Sequence, residues 1–152
     1  MAARTSLEWD GLNEEALEAL AIRVAGSLRP ADVVVLKGEV GTGKTTFVRT
    51  AAHALGVQEP VTSPTYQFAR DYEGSVDGYT IAVNHLDLYR LEGLDARDSL
   101  DLDEYLQPDS ITFIEWADLA LELLEQPNIV EFFYRSPETR RVRISGPIAA
   151  RL

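Results

Sequence analysis

Behind Asn13-Glu14-Glu15, apolar residues recur at helical spacing. Leu17, Leu20, Ala21, Val24 and Leu28 fall on one face of the predicted helix, and Pro30 ends it. Val33-Val34-Val35-Leu36 follows, a β-branched run of the kind buried on both faces of a parallel sheet. A glycine-rich stretch, Gly38 to Gly43, leads into a second helix with Val48, Ala51, Ala52 and Leu55 on one side. Gly56 stands where a left-handed cap is expected. Farther on, Tyr66–Tyr72 and Tyr79–Leu86 read as an antiparallel hairpin around a loop at Glu73–Gly78. A short helical stretch after Arg90 carries Leu94, Leu100, Leu102 and Tyr105. Ile111–Ile114 is another buried-type strand, and Ile129–Tyr134 with Arg141–Ser145 predict a second hairpin. Helix, strand, glycine loop and helix in that order predict an α/β layered fold. The hairpins make the sheet mixed, with helices expected on both of its faces.

At 152 residues, the chain is expected to form one domain, residues 1–152, with a single core. There is no cysteine, which excludes disulfides, thiolate metal sites and cysteine nucleophiles. No apolar run is long enough to span a bilayer and the N-terminus lacks a signal-peptide stretch, so a cytoplasmic location is expected. The net charge of −11 is unevenly spread. Residues 71–125 hold 15 acidic residues against only Arg90 and Arg97. Such a body argues against unaided binding to nucleic acid or an anionic membrane. The acidic segment is either a solvated surface or a face for a basic protein partner.

Gly38-Glu39-Val40-Gly41-Thr42-Gly43-Lys44-Thr45 matches the phosphate-binding pattern G-x-x-x-x-G-K-[ST] without a mismatch. Its setting is also right, with a strand running in and a helix running out. The glycines let backbone N–H groups close around phosphates at the positive end of the following helix. Lys44 is expected to reach the β- and γ-phosphates, and the Thr45 hydroxyl to ligate Mg²⁺. The fold class expected is therefore a three-layer, P-loop NTPase-type α/β domain.

A phosphate loop needs further groups to hold the metal and aim a water. In His85-Leu86-Asp87, alternation places His85 and Asp87 on one face of a strand end. Asp87 is a candidate magnesium ligand, direct or through water, or else a surface cap; His85 alone reads as a hydrogen-bonded core histidine. Glu115 ends an apolar strand, where an acid can ligate Mg²⁺ or orient the attacking water. Trp116 reads as packing or as a nucleotide-stacking ring. Ser63-Pro64-Thr65 is either a simple turn or the site of a hydroxyl that senses the γ-phosphate.

Together, the run Leu36–Phe47, Val61-Thr62-Ser63-Pro64-Thr65-Tyr66, His85-Leu86-Asp87-Leu88-Tyr89-Arg90-Leu91 and Ile114-Glu115-Trp116 resemble the TsaE family. These are bacterial P-loop ATPases needed to form threonylcarbamoyladenosine on tRNA. The resemblance spans essentially the whole chain, and its H-x-D-L-Y-R block is more discriminating than the phosphate loop. It implies a nucleotide site over Gly38–Thr46 with Thr45 on magnesium, a second metal-side acid at Glu115 and a nucleotide-side tryptophan at Trp116. It also implies a turnover aspartate at Asp87, a switch-loop threonine at Thr65 and a nucleotide-side arginine at Arg140. ATP and Mg²⁺ are the cofactors implied. A heterodimer of TsaB and TsaD is the implied partner, within which ATP is hydrolysed while TsaD performs the transfer. The first helix departs from the family, with Leu17 and Leu20-Ala21 replacing a threonine near the adenine and Leu-Gly.

Two other readings stand beside this one. Asp71-Tyr72-Glu73-Gly74 matches the D-x-x-G of small GTPases, and Asn84-His85-Leu86-Asp87 is one residue from N-K-x-D. Between them there is no room for the strand and helix that separate these motifs in GTPases. The other is a nucleotide-dependent scaffold with little turnover, which looks the same on paper as an ATPase activated by its partner.

Overall fold

The computed structural model describes residues 6–39, 41–62, 69–88, 104–116, 121 and 124–152. Seven strands, β1 (Ser6–Leu12), β2 (Val33–Lys37), β3 (Ala69–Val76), β4 (Tyr79–Asp87), β5 (Ser110–Glu115), β6 (Asn128–Ser136) and β7 (Thr139–Ser145), form one sheet. The order across it is β1-β7-β6-β2-β5-β4-β3. Strands β6, β2, β5 and β4 run parallel, and antiparallel pairings add β7 and β1 on one side and β3 on the other. The mixed α/β architecture expected from the pattern is therefore present.

Helix α1 (Glu14–Ser27) starts where Asn13 Oδ1 accepts a hydrogen bond from the Ala16 N–H at 2.8 Å, with Glu14 and Glu15 favourably placed at its positive end. Its apolar stripe is buried as predicted, from Leu17 to Leu28. Helix α2 (Lys44–Ala54) buries Phe47, Val48, Ala51 and Ala52. Both helices pack on the same sheet face, over Val34 and Leu36 of β2, Phe113 of β5 and Phe132 of β6. Phe47 meets Phe132 edge to face, with ring centroids 5.5 Å apart. The described helices lie on this one face, and most of the chain expected to supply helix to the other lies outside the described residues. The opposite face carries Val35, Leu86, Leu88 and Ile114, covered by Tyr105, Leu106, Trp116, Leu121 and Leu124. Most of the helical stretch expected after Arg90 lies outside the described residues.

Two further differences have plain physical causes. The expected six-residue loop of the first hairpin is a two-residue turn, because Asp77 and Gly78 both adopt positive φ (52° and 84°). Asp-Gly is the pair that such a tight, strand-matched turn favours. Strand β1 escapes the hydrophobic pattern because it is a largely exposed edge strand whose pairing with β7 shifts register between Trp9 and Leu12. No helix among the described residues is long and apolar enough to cross a membrane.

One buried side chain ties the end of the chain to its centre. Asn128 is 1% exposed; its amide donates to Val33 O at 3.2 Å, and its carbonyl oxygen accepts from the Ile148 N–H at 2.7 Å. Asn128→Ala leaves both backbone groups unpartnered, an expected loss of about 2–4 kcal/mol. At this chain length that corresponds to a melting temperature lower by roughly 5–12 °C in thermal denaturation. An unchanged melting temperature would show that the tie carries no weight.

Candidate nucleotide site

The parallel arrangement brings the carboxyl ends of β2, β5 and β4 side by side, the usual location of a ligand crevice in such sheets. Leu36 pairs with Glu115, and Glu115 with Asp87, so the three strand ends lie in one row. Directly after β2 the chain turns through Gly38, Gly41 and Gly43, with φ of 146°, 83° and 106°. A Cβ on Gly38 would stand 2.9 Å from both Phe132 O and Thr42 Oγ1, so only glycine fits there. The loop is braced from within by Thr42 Oγ1, which donates to Glu39 O at 2.6 Å. It delivers α2 with Gly43 at the N-cap and no side-chain cap bond, so the helix's first N–H groups face the loop's mouth.

Lys44 opens α2 and is 6% exposed. Its Nζ donates to Gly38 O at 2.6 Å and stands 4.0 Å from the centre of the Trp116 ring. Burial pushes its pKa below the usual lysine value, and the negative charges of Glu115 and then Asp87 partly offset that. The sequence-predicted lysine and both sequence-predicted acids therefore share one electrostatic site. Glu115 is itself 3% exposed, and its Oε2 lies 2.6 Å from His85 Nε2. His85, read from the sequence as a hydrogen-bonded core histidine, is indeed buried, but its partner is a site carboxylate.

A cavity of about 600 Å³ adjoins the loop, within the range of small-molecule sites. Gly41, Thr42, Gly43 and Thr46 form one wall; Leu12, Asn13, Glu14 and Leu17 form the second, and Pro137, Glu138 and Arg140 the third. Arg140 is the arginine that the family resemblance puts beside the nucleotide. Its guanidinium donates to Gly41 O at 3.1 Å and to Ser136 O and Thr139 O at 2.8 and 2.9 Å, clamping the last hairpin to the phosphate loop. Asn13, Glu14, Pro137 and Glu138 had no role in the sequence reading. Asn13 and Glu14 open the first predicted helix and Pro137 and Glu138 lie between the strands of the second predicted hairpin, but no local pattern signals their meeting at one cavity. Leu17, where the family resemblance fails, lies on that wall. Val40, Thr65 and the rest of Ser63-Pro64-Thr65 lie outside the described residues.

The GTPase reading finds no geometric support. Asp71–Gly74 runs along β3, paired antiparallel to Ile81–Asn84, and the Asn84 amide is occupied by Tyr105 O and Thr112 Oγ1. Neither motif is arranged to read a guanine.

Comparison with known proteins accords with the site. Residues 12–143 match the family described as threonylcarbamoyl adenosine biosynthesis protein TsaE. The chain is 35% identical over 135 residues to the tRNA threonylcarbamoyladenosine biosynthesis protein TsaE of Bacillus subtilis, covering 89% of this chain and 82% of that protein. With its namesake from Streptomyces coelicolor it shares 41% over 136 residues, covering 86% and 90%. The crystal structure of Bacillus subtilis YdiB superposes with a TM-score of 0.76 at 28% identity, covering 96% of this chain and 88% of that one. With the phosphate-loop signature, the paired strand-end acids and this breadth of similarity in agreement, the chain belongs to the TsaE family.

Proposed function

We propose that this protein is a P-loop ATPase that binds Mg²⁺-ATP and hydrolyses it within the machinery making threonylcarbamoyladenosine on tRNA. The observation that carries this reading is the meeting of Lys44, behind a glycine cradle at the start of α2, with Glu115 and Asp87 at adjacent strand ends. Backbone N–H groups of the loop and the Lys44 ammonium bind the phosphates, and Trp116 and Arg140 flank the nucleotide. The cavity between α1 and the last hairpin takes the nucleoside end. Hard oxygen donors suit magnesium, and the Thr45 hydroxyl with the Asp87 and Glu115 carboxylates forms such a set. Bound there, the ion would neutralise charge on the β- and γ-phosphate oxygens. Asp87 and Glu115 orient the attacking water, and Thr65 answers to the γ-phosphate.

The relatives' naming supports a place in tRNA modification, and the family resemblance supports a TsaB–TsaD heterodimer as partner in the cytoplasm. An acidic protein has little means to grip tRNA directly, so a protein partner suits the charge distribution. Hydrolysis of ATP and GTP by the purified protein, with and without its cognate TsaB–TsaD pair and with Lys44→Ala as blank, tests the proposal. ATP turnover that rises on adding the pair is expected. Indifference to the pair, or preference for GTP, would remove the assignment.

Arg140→Ala opens the clamp on Gly41 while leaving the β6–β7 ladder intact. It is expected to weaken ATP binding about tenfold, the cost of one hydrogen bond from a charged group. Its melting temperature should change little, because the side chain is partly exposed. Calorimetric titration with ATP checks this, and unaltered affinity would free Arg140 of any role at the nucleotide.

A further inference from the structure

His85 has no part in the reaction outlined above, yet its side chain is 1% exposed and its Nε2 lies 2.6 Å from Glu115 Oε2. Its Nδ1 finds no hydrogen-bond partner among the described residues. Packing alone gives no reason for a polar ring at this position. Phe113 stands opposite on β5 and Val83 precedes it on the same face of β4, and a leucine there would fit those apolar neighbours without a bare Nδ1. With Glu115 as a carboxylate, which only accepts, the imidazole proton sits on Nε2 and points at Oε2. The Lys44 ammonium gives its own hydrogen bond to Gly38 O. The ammonium is thus held by a carbonyl and the carboxylate by the imidazole, each through its own hydrogen bond. The charge of Glu115 already acts on Lys44, and an ion pair between the two would leave neither group available to a phosphate or a water. Directly after Glu115 the chain bends sharply, with Trp116 at φ 58°, so the carboxylate projects from the last regular residue of β5.

We propose that His85 is a positioning residue of the ATPase site. Its Nε2–H fixes the Glu115 carboxylate through Oε2, keeps it off Lys44 and leaves Oε1 for the water that the carboxylate orients. This rests on the function proposed above, and two independent readouts separate the two ideas.

The first is ATP turnover with the TsaB–TsaD pair. His85→Leu should lower kcat about 10- to 100-fold, the usual effect of losing a group that orients a catalytic ligand. KM for ATP should stay within about threefold, since ground-state binding is untouched. His85→Gln, whose amide reaches to the depth of Nε2, should recover most of the lost kcat. Wild-type kcat in His85→Leu would overturn the proposal. So would failure of His85→Gln to exceed His85→Leu when both variants melt like the wild type. The second readout is imidazole nitrogen NMR of the unliganded protein, in which His53 is the only other histidine. The His85 proton should reside on Nε2, with a resonance that moves in Glu115→Gln. A proton on Nδ1, or a resonance indifferent to Glu115→Gln, would overturn the proposal even if the wild type turned over no ATP. Absence of wild-type turnover would remove the proposed function, while the tautomer would still decide whether the His85–Glu115 pair exists.

Discussion

Replacing Lys44 with alanine should remove measurable Mg²⁺-ATP binding, an affinity loss of about 100-fold or more. The magnitude follows from truncating a largely buried charged donor that would meet phosphate oxygens, typically about 2–5 kcal/mol. A fold defect could mimic this result, but the electrostatics of Lys44 separate the two. Burial lowers its pKa in the folded chain, so its ammonium is less comfortable there than in water. Between that lowered value and the ordinary lysine pKa, the unfolded chain binds more protons than the folded one. Stability of the empty protein therefore rises with pH across that window, and below it the protein bears the full penalty of the buried charge. Lys44→Met, of similar length and without charge, should melt at or above the wild-type temperature at neutral pH while losing ATP. Its advantage in melting temperature should shrink as the pH approaches the ordinary lysine value. Unchanged ATP titration in either variant would defeat the phosphate-loop assignment; a sharply lower melting temperature for Lys44→Met would mark the lysine as structural.

Glu115→Gln and Asp87→Asn should lower kcat about 100- to 1,000-fold, comparable with losing one group that stabilises charge as it develops in the transition state. ATP affinity should fall much less, within about tenfold, because the glycine loop and Lys44 remain. Both substitutions preserve shape, and the amide introduced by Glu115→Gln keeps an oxygen that can accept from His85 Nε2. Steady-state turnover with the TsaB–TsaD pair, set beside fluorescent-nucleotide titration and thermal melting, distinguishes the roles. Parallel losses of stability and activity would make these acids part of the scaffold.

Much of this site was legible because its parts announce themselves locally. The run from Gly38 to Thr45 needs its glycines for conformations that other residues avoid, and the flanking apolar periods name a strand and a helix. Asp87 and Glu115 stood out as acids closing apolar strands. What the sequence could not convey was their common row, which depends on β2, β5 and β4 being neighbours in a particular register. The His85–Glu115 bond joins residues 30 positions apart, and no local pattern encodes it. Strand β1 was hidden because an exposed edge needs few apolar residues. The cavity wall at Asn13 and Glu138 was hidden because it arises where a helix start and a hairpin turn meet. Polar chemistry carried on one segment is readable from the chain; chemistry shared between segments waits for the topology.

The central place of β2 also bears on how the protein is made. Val34 pairs with Phe113 on one side and with Asn128 on the other, so the strand that launches the phosphate loop finds both neighbours only late in the chain. Such distant pairings are slow to close, because the intervening chain must be ordered first. During synthesis from the N-terminus, β2 emerges long before either partner and has no sheet to enter. The clamp from Arg140 to Gly41 comes later still. A truncated chain should therefore be unable to shape its glycine loop, and under the function proposed above nucleotide binding would report that synthesis had reached the last hairpin.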